Sequence, residues 1–91
     1  VHAIEAYTSK LRKNPYSDVL ACEALRLLSR HIVTAVEDGH NLEARQAMLF
    51  GAMLAGQAFA NAPVAGVHAL AYPLGTHFHV SHGVSNSLML P

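Results

Sequence analysis

The sequence predicts an all-α, multihelical domain, and three observations predict it. Apolar residues recur at positions i, i+3, i+4 and i+7 along much of the chain, which is the spacing of one helical face. Asparagine, glycine and proline stand where these stretches begin and end. No stretch alternates apolar and polar residues convincingly, since residues 76–80 are too few and too polar to be a strand.

The first two predicted helices are separated by an asparagine–proline pair. Residues 1–10 are interpreted as the end of a helix. Asn14 is a favourable N-cap, and Pro15 suits the first helical turn because its missing N–H would have no partner there. The second helix should run to Asp38, and Gly39 is predicted to end it in a left-handed conformation. Its apolar positions are Leu20, Ala24, Leu27, Leu28, His31, Ile32 and Ala35.

The third predicted helix is apolar on all sides over residues 47–62. Asn41 can cap it, and Glu43 lies near its positive end, where an acidic side chain is favourable. The apolar stretch is about 16 residues long, whereas a membrane span needs roughly 20. We therefore predict a buried central helix that Pro63 ends. Small residues would let a neighbouring helix approach closely at Gly51, Ala52, Ala55 and Gly56.

The C-terminal third of the chain is predicted to contain two shorter helices. Residues 64–72 form the first, which Pro73 should stop because an interior proline removes a hydrogen bond and clashes with the preceding turn. Residues 75–81 are predicted to be a loop. Residues 82–90 form the last helix.

The charge and cysteine content limit the partners and the compartment. Six Lys and Arg residues balance six Asp and Glu residues. Because binding to nucleic acid or an anionic membrane needs clustered basic residues, we expect neither partner. Cys22 is the single cysteine, which excludes an internal disulfide and suits a reducing compartment. We expect a cytoplasmic protein in which this thiol is buried and inert.

The composition is rich in apolar residues for a chain of this length. Apolar residues make up 52% of the sequence and charged residues only 13%. A domain of 91 residues buries a limited share of its surface, so many apolar side chains should face another domain, another subunit or a ligand. The chain also begins without methionine and ends after an apolar run. We therefore expect a fragment that forms homo-oligomers or self-associates.

Seven histidines are the main candidates for chemistry. Imidazole is the commonest protein ligand for zinc, iron and copper. His31 lies in a predicted helix and His40 in a predicted turn, and both are interpreted as structural or solvent-facing. The remaining candidate ligands are His2, His68, His77, His79 and His82.

Spacing alone leaves two arrangements of these ligands open. A local site could form from His77, His79 and His82, because a His-x-His pair in an extended loop places both rings on one side. A non-local site could form from His2, His68 and His82, each on a helix or at a helix start. The sequence pattern does not choose between them.

Two segments resemble motifs of the iron-containing (group III) alcohol dehydrogenases. The segment His2–Tyr7, with sequence HAIEAY, is similar to the motif in which a metal-binding aspartate lies four residues before a metal-binding histidine. The segments 66–75 (GVHALAYPLG) and 81–86 (SHGVSN) are similar to the family's second motif. Its two ligand histidines are fourteen positions apart, as His68 and His82 are. The resemblance covers nearly the whole chain.

The resemblance implies a metal site and a fold. His2, His68 and His82 would bind Fe²⁺, with zinc as an alternative occupant, and NAD or NADP would exchange hydride with the substrate. The fold would be that of the C-terminal, dehydroquinate synthase-like domain, of which residues 1–91 form a part. The N-terminal α/β domain that binds most of the cofactor, and the rest of the C-terminal domain, would lie outside residues 1–91. No glycine-rich phosphate-binding motif occurs in the chain itself.

The sequence departs from the family pattern in two ways. The aspartate ligand would precede Val1, so this chain would hold an incomplete ligand set. Tyr72 occupies a position where some members have a histidine near the nicotinamide, and a tyrosine is a weaker proton relay at neutral pH. Tyr72 and His82 are expected to face the nicotinamide, with Tyr72 as the candidate catalytic residue. His77 and His79 are expected to line the nearby loop.

The predicted function is part of a metal-dependent, NAD(P)-linked alcohol dehydrogenase. The enzyme would interconvert a small alcohol and its aldehyde or ketone, and residues 1–91 alone should be inactive. Two other classes stay open on the residues. One is a small helical metal-binding module that uses the local histidine site. The other is an interaction domain whose apolar surface is covered by a partner.

Overall fold

Five helices make up the described part of the chain. The computed structural model describes residues 1–62 and 65–91. No strand occurs among these residues, which confirms the all-α prediction. The helices are α1 (His2–Thr8), α2 (Pro15–Glu37), α3 (Leu42–Asn61), α4 (Gly66–Phe78) and α5 (His82–Met89).

Asparagine caps begin α2 and α3, as the sequence predicts. Asn14 Oδ1 accepts a hydrogen bond from the Ser17 N–H at 2.9 Å, and Ser17 Oγ accepts one from the Asn14 N–H at 3.3 Å. This reciprocal pair satisfies backbone donors that the first helical turn leaves unpaired. Asn41 Oδ1 accepts from the Ala44 N–H at 3.0 Å and begins α3 in the same way.

The turn between α2 and α3 differs from the prediction. Gly39 is not left-handed, and no glycine in residues 1–62 and 65–91 has a positive φ. The Asp38 N–H donates to the Thr34 carbonyl at 2.8 Å, and the Asp38 carbonyl accepts from the Asn41 N–H at 3.1 Å. Asp38 Oδ1 also accepts from the His40 N–H at 3.2 Å. Aspartate therefore closes the turn by itself, which makes a left-handed glycine unnecessary.

The helices α1, α2 and α3 share a core made mainly of alanines. Small side chains let α2 and α3 pack closely, as the ideal Cβ of an alanine at Gly51 would lie 2.9 Å from the Leu28 side chain. Of the predicted close-approach positions, Gly51 and Ala55 are buried, whereas Ala52 is exposed. The shared core consists of Ala3, Ala6, Ala21, Ala24, Leu54, Ala55, Ala58 and Ala62.

Cys22 is exposed, which makes the prediction of a buried thiol wrong. Its neighbours Ala21 and Ala24 occupy the buried face of α2. Successive residues of a helix point about 100° apart, so the side chain after Ala21 turns away from the core.

The helix α4 is longer than the sequence predicts. It continues through Pro73 to Phe78, so the predicted stop at Pro73 and the predicted loop over residues 75–81 are wrong. Pro73 removes one backbone hydrogen bond, but the turns on both sides still form the helix. The helix ends at His79, which adopts the left-handed conformation with φ 56°. The loop is therefore confined to the short segment before α5.

The remaining boundaries are close to those predicted. The last helix was predicted over residues 82–90, and α5 spans His82–Met89. The predicted end of α3 at Pro63 and the predicted start of the next helix at Val64 lie outside the described residues.

Neither α2 nor α3, the two longest helices, combines the length and the apolar composition that a membrane span needs. Within residues 1–62 and 65–91, no single helix is both long and apolar enough. The helices α3 and α4 meet the criteria only when they are taken together, and a bend of 106° separates their axes.

Candidate metal centre

Three histidines from three helices meet at one place. His2 is the first residue of α1, His68 lies in the first turn of α4, and His82 is the first residue of α5. Each offers a ring nitrogen, and these three atoms lie within 4.8 Å of one another. The His68 ring centroid is 4.6 Å from that of His2 and 5.2 Å from that of His82. The structure therefore assembles the non-local set of histidines.

The local set is not assembled. His2, His68 and His82 form the one group of three or more potential ligands that converges within residues 1–62 and 65–91. His77 and His79 are exposed at the C-terminal end of α4, where the His79 N–H bonds to the helix as its cap. The continuation of α4 through residues 75–78 removes the extended loop that the local site requires.

Glu5 lies beside the cluster and is 2% exposed. Its Oε2 is hydrogen-bonded to His68 Nδ1. Its Oε1 accepts from the backbone N–H groups of Val67 at 2.6 Å and His68 at 3.2 Å. These N–H groups belong to the first turn of α4, where backbone donors are otherwise unpaired and the helix dipole favours an anion.

The hydrogen bonds of Glu5 also affect its ionisation. Burial raises the pKa of Glu5, whereas the hydrogen bonds from His68 and from backbone N–H groups at the start of α4 lower it. The hydrogen bonds outweigh burial, so the pKa is below its ordinary value of 4.5. The side chain is therefore a carboxylate at neutral pH, and as a carboxylate it can only accept hydrogen bonds.

The second ring nitrogen of His68 has no protein partner. His68 Nε2 is buried and makes no hydrogen bond to the described residues. A buried nitrogen left without a partner is costly, so such atoms in folded proteins usually indicate an ion, a water molecule or a functional role. Because the nitrogen belongs to a ring that two other histidines face, a metal ion fits this position.

Different side chains contact the other two histidines. Phe59 of α3 stacks on His2, with ring centroids 4.7 Å apart and planes 27° apart. Asn86, one turn after His82 in α5, places its Nδ2 3.2 Å from His82 Nε2 and donates to the His82 carbonyl at 3.0 Å. Asn86 is buried, and its Oδ1 has no partner among the described residues.

The surroundings of His2 favour the neutral imidazole. Burial lowers the pKa of His2, and repulsion from His68 and His82 lowers it further, against a weaker opposite effect of Glu5. A neutral imidazole has the free lone pair that a metal ligand needs.

A recess of about 230 Å³ opens beside the three histidines. The ring centroid of Tyr72 is 6.1 Å from that of His68 and 6.4 Å from that of His82. The Tyr72 side chain is 54% exposed. A larger groove of about 490 Å³ lies between α2 and α3, but its lining is mainly apolar and includes none of the three histidines. The recess is lined by Val1, His2, His68, His82, Gly83, Asn86 and Ser87.

Comparison with known proteins establishes the family. A family model described as "Fe-containing alcohol dehydrogenase family, C-terminal" matches residues 1–91. The chain belongs to this iron-containing alcohol dehydrogenase family. The resemblance predicted from the sequence motifs is thus confirmed.

Members of the iron-containing alcohol dehydrogenase family match almost the whole chain. Long-chain-alcohol dehydrogenase 1 of Geobacillus thermodenitrificans is 56% identical over 99% of the chain and 22% of its own length. The 1,3-propanediol dehydrogenase of Klebsiella pneumoniae is 47% identical over 99% of the chain and 23% of its own length. An alcohol dehydrogenase structure from Oenococcus oeni, 41% identical, superposes with a TM-score of 0.92 over 96% of the chain and 22% of that structure. The chain therefore spans about a fifth of the length of these relatives.

Three residues of the site had no role in the sequence prediction. Glu5 lies within the first motif, three positions after His2 and on the same side of α1, so helical spacing could have indicated it. Asn86 lies four positions after His82 in the same helix, so helical spacing could have indicated it too. Phe59 carries no such signal, because its stacking on His2 depends on how α1 and α3 pack.

Proposed function

We propose that residues 1–91 are part of a longer metal-dependent, NAD(P)-linked alcohol dehydrogenase. In this proposal His2, His68 and His82 hold the catalytic ion. One observation carries the proposal: three imidazoles from separate helices converge within 4.8 Å, and one of them has a buried nitrogen without a partner.

The donor set fits the metal that the family name implies. Imidazole nitrogens suit Fe²⁺, and they also suit zinc, which makes zinc a possible alternative occupant. When bound, the ion supplies Lewis-acid chemistry at the alcohol or carbonyl oxygen of the substrate. A fourth ligand, the aspartate that the family motif has four residues before a ligand histidine, would come from a segment preceding this chain.

The residues around the recess would orient the reactants. The three imidazoles would hold the ion at one side, and the recess beside them would admit a small alcohol or aldehyde. Tyr72 and His82 would face the nicotinamide end of NAD or NADP, and the Tyr72 hydroxyl would assist proton transfer; the ring centroids of these two residues, 6.4 Å apart, support this placement. Most of the cofactor would bind a separate α/β domain, since residues 1–91 contain no phosphate-binding glycine motif.

The substrate is proposed only as a class, because the names of the relatives differ. One is a long-chain-alcohol dehydrogenase and another a 1,3-propanediol dehydrogenase, although both match nearly all of this chain. We further propose a cytoplasmic homo-oligomer, for which the single cysteine and the exposed apolar surface are the support.

Substitution of the histidines in the full-length enzyme tests the proposal. His68→Ala and His82→Ala should each remove the metal and abolish activity. Removal of a side chain that hydrogen-bonds to a metal ligand lowers metal affinity or activity about 10- to 100-fold, so loss of the ligand itself should lower them further. His79→Ala is the matched control, because it removes an exposed imidazole from the same region and should retain metal and activity. Metal content is measured by elemental analysis and activity by NAD(P)H absorbance.

Two outcomes would contradict the proposal. If His79→Ala removes the metal while His68→Ala retains it, the chain contains a local metal-binding module. If no histidine substitution changes metal content, the chain is an interaction domain without a metal role.

A further inference from the structure

We propose that Glu5 is a positioning residue that holds His68 in the Nδ1–H tautomer and so directs the Nε2 lone pair to the metal. This inference rests on the proposed function, since it concerns how one of the proposed ligands is prepared for binding. Glu5 itself is not one of the converging ligands.

Glu5 contacts groups at the start of α4 with both of its carboxylate oxygens. One oxygen is hydrogen-bonded to His68 Nδ1, and the other accepts from the backbone N–H groups of Val67 and His68. All three contacts are local to the start of α4, and Glu5 is 2% exposed. Water therefore has little access to compete for this carboxylate, so its hydrogen bonds are made to the protein.

The contact with Glu5 selects one tautomer of the His68 ring. A neutral imidazole carries one proton, on Nδ1 or on Nε2. A carboxylate accepts but does not donate, so the His68 nitrogen that it contacts carries the proton. The lone pair is then on Nε2, the buried nitrogen without a partner. Metal-binding histidines commonly donate their second ring nitrogen to a carboxylate, and this contact fixes both the tautomer and the ring orientation.

Glu5 also links α1 to α4. Glu5 and His2 belong to α1, whereas Val67 and His68 belong to α4. The Glu5 carboxylate bonds to the first turn of α4 and so holds the start of that helix against α1. The same side chain therefore helps to set the separation of the His2 and His68 rings, whose centroids are 4.6 Å apart.

Glu5→Gln in the full-length enzyme tests the tautomer directly. The glutamine oxygen can still accept from the two backbone N–H groups, which places its NH₂ group against His68 Nδ1. The amide would then donate to Nδ1 and place the ring proton on Nε2, where it blocks coordination. The opposite amide orientation would point the NH₂ at two N–H donors. We expect the affinity for Zn²⁺, measured by chelator competition on the metal-free enzyme, to fall about 10- to 100-fold.

A matched control and a spectroscopic measurement separate positioning from general damage. Glu43→Gln removes the same charge at an exposed site in the first turn of α3 and should leave Zn²⁺ affinity unchanged. With Co²⁺ in the site, Glu5→Gln should alter the visible d–d absorption, which reports the ligand field, whereas Glu43→Gln should not. Unchanged Zn²⁺ affinity in Glu5→Gln would overturn the inference, and so would an unchanged Co²⁺ spectrum.

The outcomes distinguish this inference from the proposed function. If His68→Ala loses the metal and Glu5→Gln retains full affinity, the proposed function stands and the role of Glu5 does not. If His68→Ala also retains the metal, the proposed function itself fails. Should Glu5→Gln fail to fold, ¹⁵N-histidine NMR of the metal-free wild type decides, with His68→Gln used to assign the signal. Protonated Nδ1 and unprotonated Nε2 on His68 support the inference, and the reverse overturns it.

Discussion

Each of the three clustered histidines lies in the first turn of its helix, and a different neighbour contacts each ring. Glu5 hydrogen-bonds to His68, and the ring of Phe59 stacks on His2. His82 is approached by an amide from its own helix. Imidazoles held by such contacts lose little rotamer freedom when they bind a ligand. At the scale of single residues, the site is prepared by side chains that are not themselves ligands.

Tyr72 provides a prediction at this scale. In the full-length enzyme, Tyr72→Phe keeps the ring beside His68 and His82 but removes the hydroxyl. If the hydroxyl assists proton transfer, kcat should fall by about 100-fold, the lower end of the range for general acid–base catalysis. Metal content should stay unchanged, because the ring centroid remains 6.1 Å from that of His68. Steady-state kinetics and elemental analysis measure the two quantities.

Tyr16→Phe is the control for this substitution. Tyr16 is an exposed residue near the start of α2, a helix that contributes none of the three histidines, so both kcat and metal content should be unchanged. A Tyr72→Phe enzyme with normal kcat would mean that this hydroxyl has no part in proton transfer.

At the scale of elements, close packing of α2 on α3 supports the helix that carries Phe59. The approach is close at Gly51, where an added Cβ would lie 2.9 Å from Leu28 Cγ and 3.4 Å from Leu27 Cβ. At Gly56, five residues further along α3, an added Cβ would meet nothing within 4 Å. A side chain at position 51 would therefore clash with α2, whereas a side chain at position 56 would meet no neighbour.

This difference predicts opposite effects of the same substitution. Gly51→Ala should lower the free energy of unfolding, because overpacking a core costs about 1–3 kcal/mol and exceeds the gain in helix propensity. Gly56→Ala is the matched control and should raise it by about 0.5–1 kcal/mol, since alanine is favoured over glycine inside helices. Thermal unfolding of the metal-free protein gives the order of Tm values. Equal Tm values for the two variants would contradict the close packing at Gly51.

At the scale of the whole molecule, apolar side chains remain exposed along the groove between α2 and α3. Val36 is 80% exposed, Leu42 72% and Leu49 76%. Soluble monomers rarely expose large contiguous apolar patches, so this surface should be covered by other protein. The chain spans about a fifth of its relatives, which is consistent with further protein surrounding it.

We predict that residues 1–91, purified alone, self-associate. Burial of the exposed apolar groove between chains would remove this surface from water and favour association. Analytical ultracentrifugation should show species larger than the monomer at high concentration. The Val36→Gln, Leu49→Gln double variant is the control and should shift the distribution toward the monomer. A sharp monomer boundary for the unsubstituted chain at high concentration would contradict the prediction.

The sequence by itself determined where α2 and α3 begin and how they are capped, because these features depend on contacts within about four residues. Asn14, Asn41 and the apolar spacing predict the starts of α2 and α3. The motifs around His68 and His82 predict the family, which depends on residue identity and spacing. The predicted left-handed conformation of Gly39 was wrong because the Asp38 side chain can close the same turn by accepting a hydrogen bond from the His40 N–H. Residue propensity alone does not exclude this alternative.

The motif resemblance implied His2, His68 and His82 as ligands, but only the tertiary structure brings their rings together and shows that Glu5 and Phe59 contact them. The Glu5 carboxylate bonds to backbone groups 62 and 63 positions away, and no local pattern predicts a contact of that range. In the folded chain α4 also stays helical through Pro73, and His77 and His79 do not join His2 and His68. The physical reason is that the histidines converge only when whole helices pack together. The free energy of that packing cannot be read from the spacing of residues along one helix.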